Sequence, residues 1–263
     1  MQPNYAPLAI KNSGVQLEVI VPEVLRERPV RMHYVHVSNL YRRIAAGILL
    51  VSGDPLDFYA NLFHSSRAFL HFLNLAGEDE KVTSEAEAFF DAVACRDEDG
   101  ARAMSRLSPH TINAGKEYEE DFIYVSLLMR RFYLDASAAE LQPMLQEWEG
   151  YAAANPDVRL GVCRALVEAD QAGFNEAVSN AIDAKLAEWE RLREADMLDP
   201  DEASTTCHVS TQVLAWLEFA QRVGLRIEPE YRLAPSLARR FHRIAFPSAD
   251  AWQSPSGFSS LRE

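Results

Sequence analysis

Cysteine, glycine and long apolar runs are all scarce in this chain, and each scarcity excludes something. Only three cysteines occur among 263 residues, Cys95, Cys163 and Cys207. Their odd number and wide spacing argue against a disulfide framework and suit a reducing compartment. Eleven glycines leave little material for a backbone phosphate cradle. No GxSxG, CxxC pair or Gly-rich phosphate loop is present, so catalysis through a compact known motif is unsupported. The most apolar run, Ile44 to Val51, is far too short to cross a bilayer. The start, MQPNYAPLAIKNSG, lacks a basic segment followed by an apolar one, so no secretory signal is read and a cytoplasmic protein is expected.

What is abundant is negative charge. The formal net charge is −13, and it is unevenly spread. Residues 1–50 carry six Lys/Arg against three Asp/Glu, and residues 226–263 carry six against four. The middle, 51–225, holds 14 against 32, a net −18. Such a field repels nucleic acid and anionic membrane, so neither is expected as a partner, whereas a basic protein is attracted.

Helical periodicity dominates. Val37, Leu40, Ile44 and Ile48 mark a helix over His33 to Val51, and Asp54-Pro55 starts another that runs to Leu75. Further helices are expected over 84–95, up to Leu107, then 118–134, 138–151, 158–169, 174–194, 204–223 and 235–244. One stretch alternates like a strand: Val15, Leu17, Val19 and Val21, ended by Pro22. The expected fold is all-α, an irregular array of antiparallel helical hairpins of tetratricopeptide-like kind, after a short extended or β segment. Residues 1–246 are expected to form a single domain: an arm over 1–30, a hairpin over 31–82 and a helical region over 83–246. The Ser- and Pro-rich 247–263 is expected to be a flexible tail. The segments AVACRDEDGA and ALVEADQAGF share Ala, Asp and Gly at equal offsets. In each an Asp caps a new helix and an apolar residue four positions on re-enters the core.

One segment asks for a function. GKEYEEDFIY, Gly115 to Tyr124, sets four carboxylates beside two tyrosines and a phenylalanine. On a helix Glu117 and Asp121 stand one turn apart, with Tyr118, Phe122, Val125 and Met129 as the apolar stripe and Glu119 and Glu120 toward solvent. Two carboxylates are too few for an oxygen-liganded cation, and the i, i+2 pair Glu147 and Glu149 points to different faces, so no metal and no cofactor is expected. His33-x-x-His36 lacks an adjacent Glu, and His64 and His71 among phenylalanines suit a packed core. The acids also complement a helix dipole, by roughly 0.3–1 kcal/mol each. Four like charges so close nevertheless repel one another. A basic partner relieves that repulsion, and Tyr118 and Tyr124 add the aromatic area favoured at interface hot spots. Glu117, Tyr118, Glu119, Glu120, Asp121 and Tyr124 are therefore candidate partner-binding residues. The acidic joint Asp97, Glu98 and Asp99 is a second candidate.

The order of these features resembles the immunity protein 49 family, all-helical antidotes encoded beside bacterial polymorphic toxins. The resembling pieces are AEAFFDAVACRDEDGARAMSRLS, GKEYEEDFIYVSLLMRRF, CRALVEADQAGFNEAVSNAI and VSTQVLAWLEFAQRVGLRIEPEYRLAP, which span about Glu85 to Pro235. The resemblance implies a protein that is not an enzyme. It would bind and neutralise a cognate toxin or effector delivered between bacteria, commonly by contact-dependent or type VI secretion. With no export signal read, that toxin would act in the cytoplasm, where nucleases are frequent and present a basic active-site surface that an acidic protein can cover. Two other readings stand beside it: a helical-repeat scaffold for some other protein, and an all-helical metal-dependent enzyme built on Glu117 and Asp121. Pairing of two copies into a homodimer through a long helix such as Phe174 to Glu194 is also compatible with the sequence.

Overall fold

A computed structural model describes residues 5–85, 87–240 and 245–258. Among them the chain forms eleven α-helices and no strand. They are α1 (Ala6–Val24), α2 (Arg31–Ser52), α3 (Pro55–Leu75), α4 (Glu87–Ala94), α5 (Glu98–Leu107), α6 (Glu119–Tyr133), α7 (Ala138–Ala152), α8 (Val158–Glu168), α9 (Gln171–Glu194), α10 (Pro200–Ala203) and α11 (Thr211–Arg222). Helices α1, α2 and α3 pack in succession, α4 and α5 lie on α3, and α6 to α9 follow as neighbouring pairs; α11 returns to cover α4 and reaches α8. The helical array expected from periodicity is thus the fold observed. The 235–244 helix is a 3₁₀ turn over Ser236–Arg239, and residues 241–244 lie outside the described residues.

The extended N-terminal segment is a correction: residues 15–21 are helical, inside α1. Ala6, Ala9, Ser13, Leu17, Val21 and Val24 are buried, a helical spacing, while Val15 and Val19 are 37% and 61% exposed. Burying one helical face against α2 outweighs the β preference of the valines, and Pro22 falls in the last turn, where it does not end the helix. The 247–263 segment also differs from expectation where it is described. Trp252 is 1% exposed, 5.4 Å from the His71 ring, and its carbonyl accepts from the Tyr41 hydroxyl at 2.7 Å. Phe246 stacks on Phe63 at 4.6 Å, and the Phe258 ring occupies the space a β-carbon on Gly14 would need.

Capping chemistry sets the joints. Asp54, Asp97, Asp157, Asp170 and Asp199 each accept a first-turn amide, and Ser137 with Glu140 forms a reciprocal capping box. The internal echo has a physical basis. At both joints a non-glycine residue takes positive φ, Arg96 at 61° and Ala169 at 54°, and the next amide reaches back five residues. Ala101 and Phe174 then re-enter the core at 0% exposure, as does Phe58 at the first joint. Because a left-handed alanine costs roughly 1–2 kcal/mol, Ala169→Gly is expected to raise stability by about 0.5–1 kcal/mol net of unfolded-chain entropy. Equal denaturation midpoints would show that the joint carries no such cost.

One buried ionic node joins three helices. Arg42 of α2 makes a bidentate pair with Asp91 of α4 at 2.7–3.0 Å, and Ser65 of α3 donates to the same carboxylate at 2.5 Å. Asp91 is 0% exposed. Nearby, His64 packs against Tyr41 and Phe63, its Nδ1 buried without a partner. Burial depresses its pKa to about 4. The native state therefore holds His64 neutral where the unfolded chain, near 6.5, takes up a proton. Stability present above pH 6.5 is lost as pH falls toward 4, on the order of 2 kcal/mol. His64→Gln should flatten the fall in urea-unfolding free energy between pH 6.5 and 4.5; parallel curves for the two proteins would contradict this.

A candidate partner-binding groove

The acidic segment divides into residues that hold the fold and residues that face outward. Glu117 precedes α6 and accepts three backbone amides, from Thr83 at 3.0 Å, Ser84 at 2.9 Å and Asn113 at 2.8 Å. It ties two loops together. Tyr118 occupies the N-cap position without a side-chain cap bond and is 72% exposed, so the helical frame starts at Glu119 and the buried face runs through Ile123, Tyr124, Leu127 and Leu128. The expected stripe is corrected in this respect: Val125 and Met129 are buried, Tyr118 is not.

Tyr124 is 2% exposed, and its hydroxyl accepts from Trp216 Nε1 at 2.9 Å and Gln212 Nε2 at 3.0 Å. Burial holds that hydroxyl well above the ordinary tyrosine pKa. It is a core residue, a correction to its place among the partner-binding candidates. Asp121 pairs with Arg159 at 2.8 Å, and the same guanidinium pairs with Asp157 at 2.7 Å and lies 4.8 Å from the Tyr124 ring centroid. Burial works against the Arg159 charge, yet Asp157 and Asp121 hold its pKa above the ordinary value. The pair staples the start of α6 to the start of α8.

Glu119 and Glu120 make no ion pair among the described residues. The Tyr151 pKa is raised by partial burial and then by the negative charges of Glu147 of α7, Glu119 and Glu120. Tyr151 is 39% exposed, and its hydroxyl donates to Glu147 at 3.4 Å. Glu120 and Tyr151 border a groove of about 860 Å³ between the start of α6, the end of α7, the start of α8 and the second half of α9. Glu120, Tyr151, Arg159 and Glu188 line it, with Trp148 at its base. Its two cations are engaged, Arg159 as above and Arg191 with Glu188 at 3.9 Å. In the sequence Glu147 stands out only beside Glu149, as a metal-ligand pair, and Tyr151 not at all, although the i, i+4 spacing of Glu147 and Tyr151 places them on one helix face.

The second candidate cluster also divides. Asp97 is 4% exposed, caps α5 and pairs with Arg67 at 2.5 Å, a structural role that corrects its listing as a contact residue. Glu98 pairs with Arg222, while Asp99 is exposed. The structure does not bring this joint to the groove. Among the described residues no three of His, Cys, Asp and Glu converge as a metal site, and no helix is long and apolar enough to cross a membrane.

A family model described as immunity protein 49 matches residues 59–238, about two thirds of the chain and the whole of the groove. No curated protein and no solved structure matches.

Proposed function

The chain belongs to the immunity protein 49 family, and from that premise we propose that it binds a cognate antibacterial toxin and blocks it by covering a basic surface. The observation that carries this reading is that the negative charges of Glu119, Glu120 and Glu147, none paired to a cation among the described residues, act together on Tyr151, which with Glu120 lines the groove. Unpaired carboxylates are solvated at little cost in the free protein. They gain most when a guanidinium or ammonium group replaces that water in a desolvated contact. Exposed tyrosines contribute large area with little loss of side-chain freedom.

The net −18 of residues 51–225 adds long-range attraction for a positively charged partner. A nuclease suits this surface best. Its substrate groove is built to hold phosphates, and a row of carboxylates imitates their charge. The reading places the encounter in the cytoplasm. It is tested by mixing the purified protein with the product of the adjacent toxin gene and measuring both complex formation and toxin activity. A one-to-one complex with loss of toxin activity is expected; no complex at micromolar concentrations would refute the reading.

A further inference from the structure

A second cavity, about 350 Å³ and separate from the groove, lies between α2, α4, α9 and the start of α11. Its wall is rich in unsatisfied donors. Lys185 of α9 has no carboxylate within ion-pair distance among the described residues and stands 5.3 Å from the Trp189 ring centroid. Thr211 lines the cavity, and its hydroxyl has no hydrogen-bond partner among the described residues. The backbone amides of Thr211 and Gln212, at the first turn of the twelve-residue α11, find no acceptor among the described residues either; Ser210 caps only the Val213 amide. The two arginines of the cavity are ion-paired, Arg42 with Asp91 and Arg43 through Nη2 with Asp199 and Glu202, although the Arg43 Nε is buried without a partner among the described residues. Of the two carboxylates lining the cavity, Glu202 pairs with Arg43, whereas Glu87 of α4 makes no ion pair among the described residues.

Four such donors facing one unpaired carboxylate describe a particular ligand chemistry. An oxyanion satisfies the ammonium, the hydroxyl and the helix-start amides, where the dipole favours negative charge. Glu87 would repel a fully ionised oxyanion but accepts a hydrogen bond from one that carries a hydroxyl. We propose that this cavity binds a phosphate group in its protonated monoanionic form, held by Lys185, Thr211 and the first turn of α11, with its P–OH donating to Glu87. The volume leaves room for a phosphomonoester whose organic part lies against Trp189.

The test is calorimetric titration of the full chain with inorganic phosphate near pH 6, at constant ionic strength, with sulfate and adenosine monophosphate as separate arms. Saturable one-to-one binding of phosphate is expected, with sulfate, which has no proton to donate at that pH, several-fold weaker. Lys185→Met should weaken phosphate binding at least about tenfold, as loss of a hydrogen bond to a charged group does. Should that variant fail to fold, Thr211→Val serves in its place. Tighter binding of adenosine monophosphate than of phosphate would identify the ligand as a phosphomonoester, and the reverse as free phosphate. No saturable phosphate binding, equal binding of sulfate, or binding that the variants leave unchanged would overturn the proposal.

Discussion

The double variant Glu119→Lys/Glu120→Lys is expected to associate with the cognate toxin at least tenfold more slowly than the native protein, with only a few degrees lost in melting temperature. The kinetic part follows from steering: a patch of one sign accelerates encounter by roughly 10- to 1000-fold, and reversing its centre removes that gain and adds repulsion. The small thermal part follows from exposure. Neither side chain touches another charged group among the described residues, so only their help to the α6 dipole is lost, about 0.3–1 kcal/mol each. Native association should slow as salt rises, while the variant's rate should respond little or rise. Asp99→Lys provides the control, since it reverses an exposed first-turn charge on α5 away from the groove. Slowing by Asp99→Lys but not by the double variant would move the contact surface to the α4–α5 joint and sink the groove.

The largest loss of stability should come from Asp91→Ala. It leaves the Arg42 guanidinium, 11% exposed, without its bidentate partner and removes the acceptor of Ser65. Breaking a buried pair from one side costs about 3–5 kcal/mol, because the remaining charge stays desolvated. For a chain of this size that corresponds to a fall in melting temperature of roughly 10 °C. The double change Arg42→Met/Asp91→Leu should recover much of it, since a volume-matched apolar pair is often neutral or stabilising. If Asp91→Ala alone shifts the midpoint by less than about 2 °C, water reaches Arg42 and the node is not the tie among α2, α3 and α4 described above.

Most of the fold was legible because its signals are local. Asp54-Pro55 and the joints at Asp97 and Asp170 mark helix starts through hydrogen bonds within three residues, and those bonds are present. What misled was α1, where β-branched residues at alternating positions imitate a strand. The helical face there is written partly in small residues, Ala6, Ala9, Ser13 and Gly14, which carry no hydrophobic signal yet allow close approach. The acidic segment was legible as unusual but not in its division of labour. Whether a carboxylate faces solvent or gathers amides from residues 83, 84 and 113 depends on loops that composition does not place. The same holds for Asp121, whose partner Arg159 is distant in sequence. The groove needed Glu147 and Tyr151 from another helix, which no single window could supply.

The hydrogen bond from Tyr41 to the Trp252 carbonyl spans 211 residues, and it has a consequence during synthesis. The first three helices emerge from the ribosome early, but the surface that Trp252 and Phe246 cover stays open until nearly the whole described chain has been translated. A nascent chain halted before residue 246 would therefore display an aromatic cleft around Tyr34, Phe63 and His71, the kind of surface that chaperones bind.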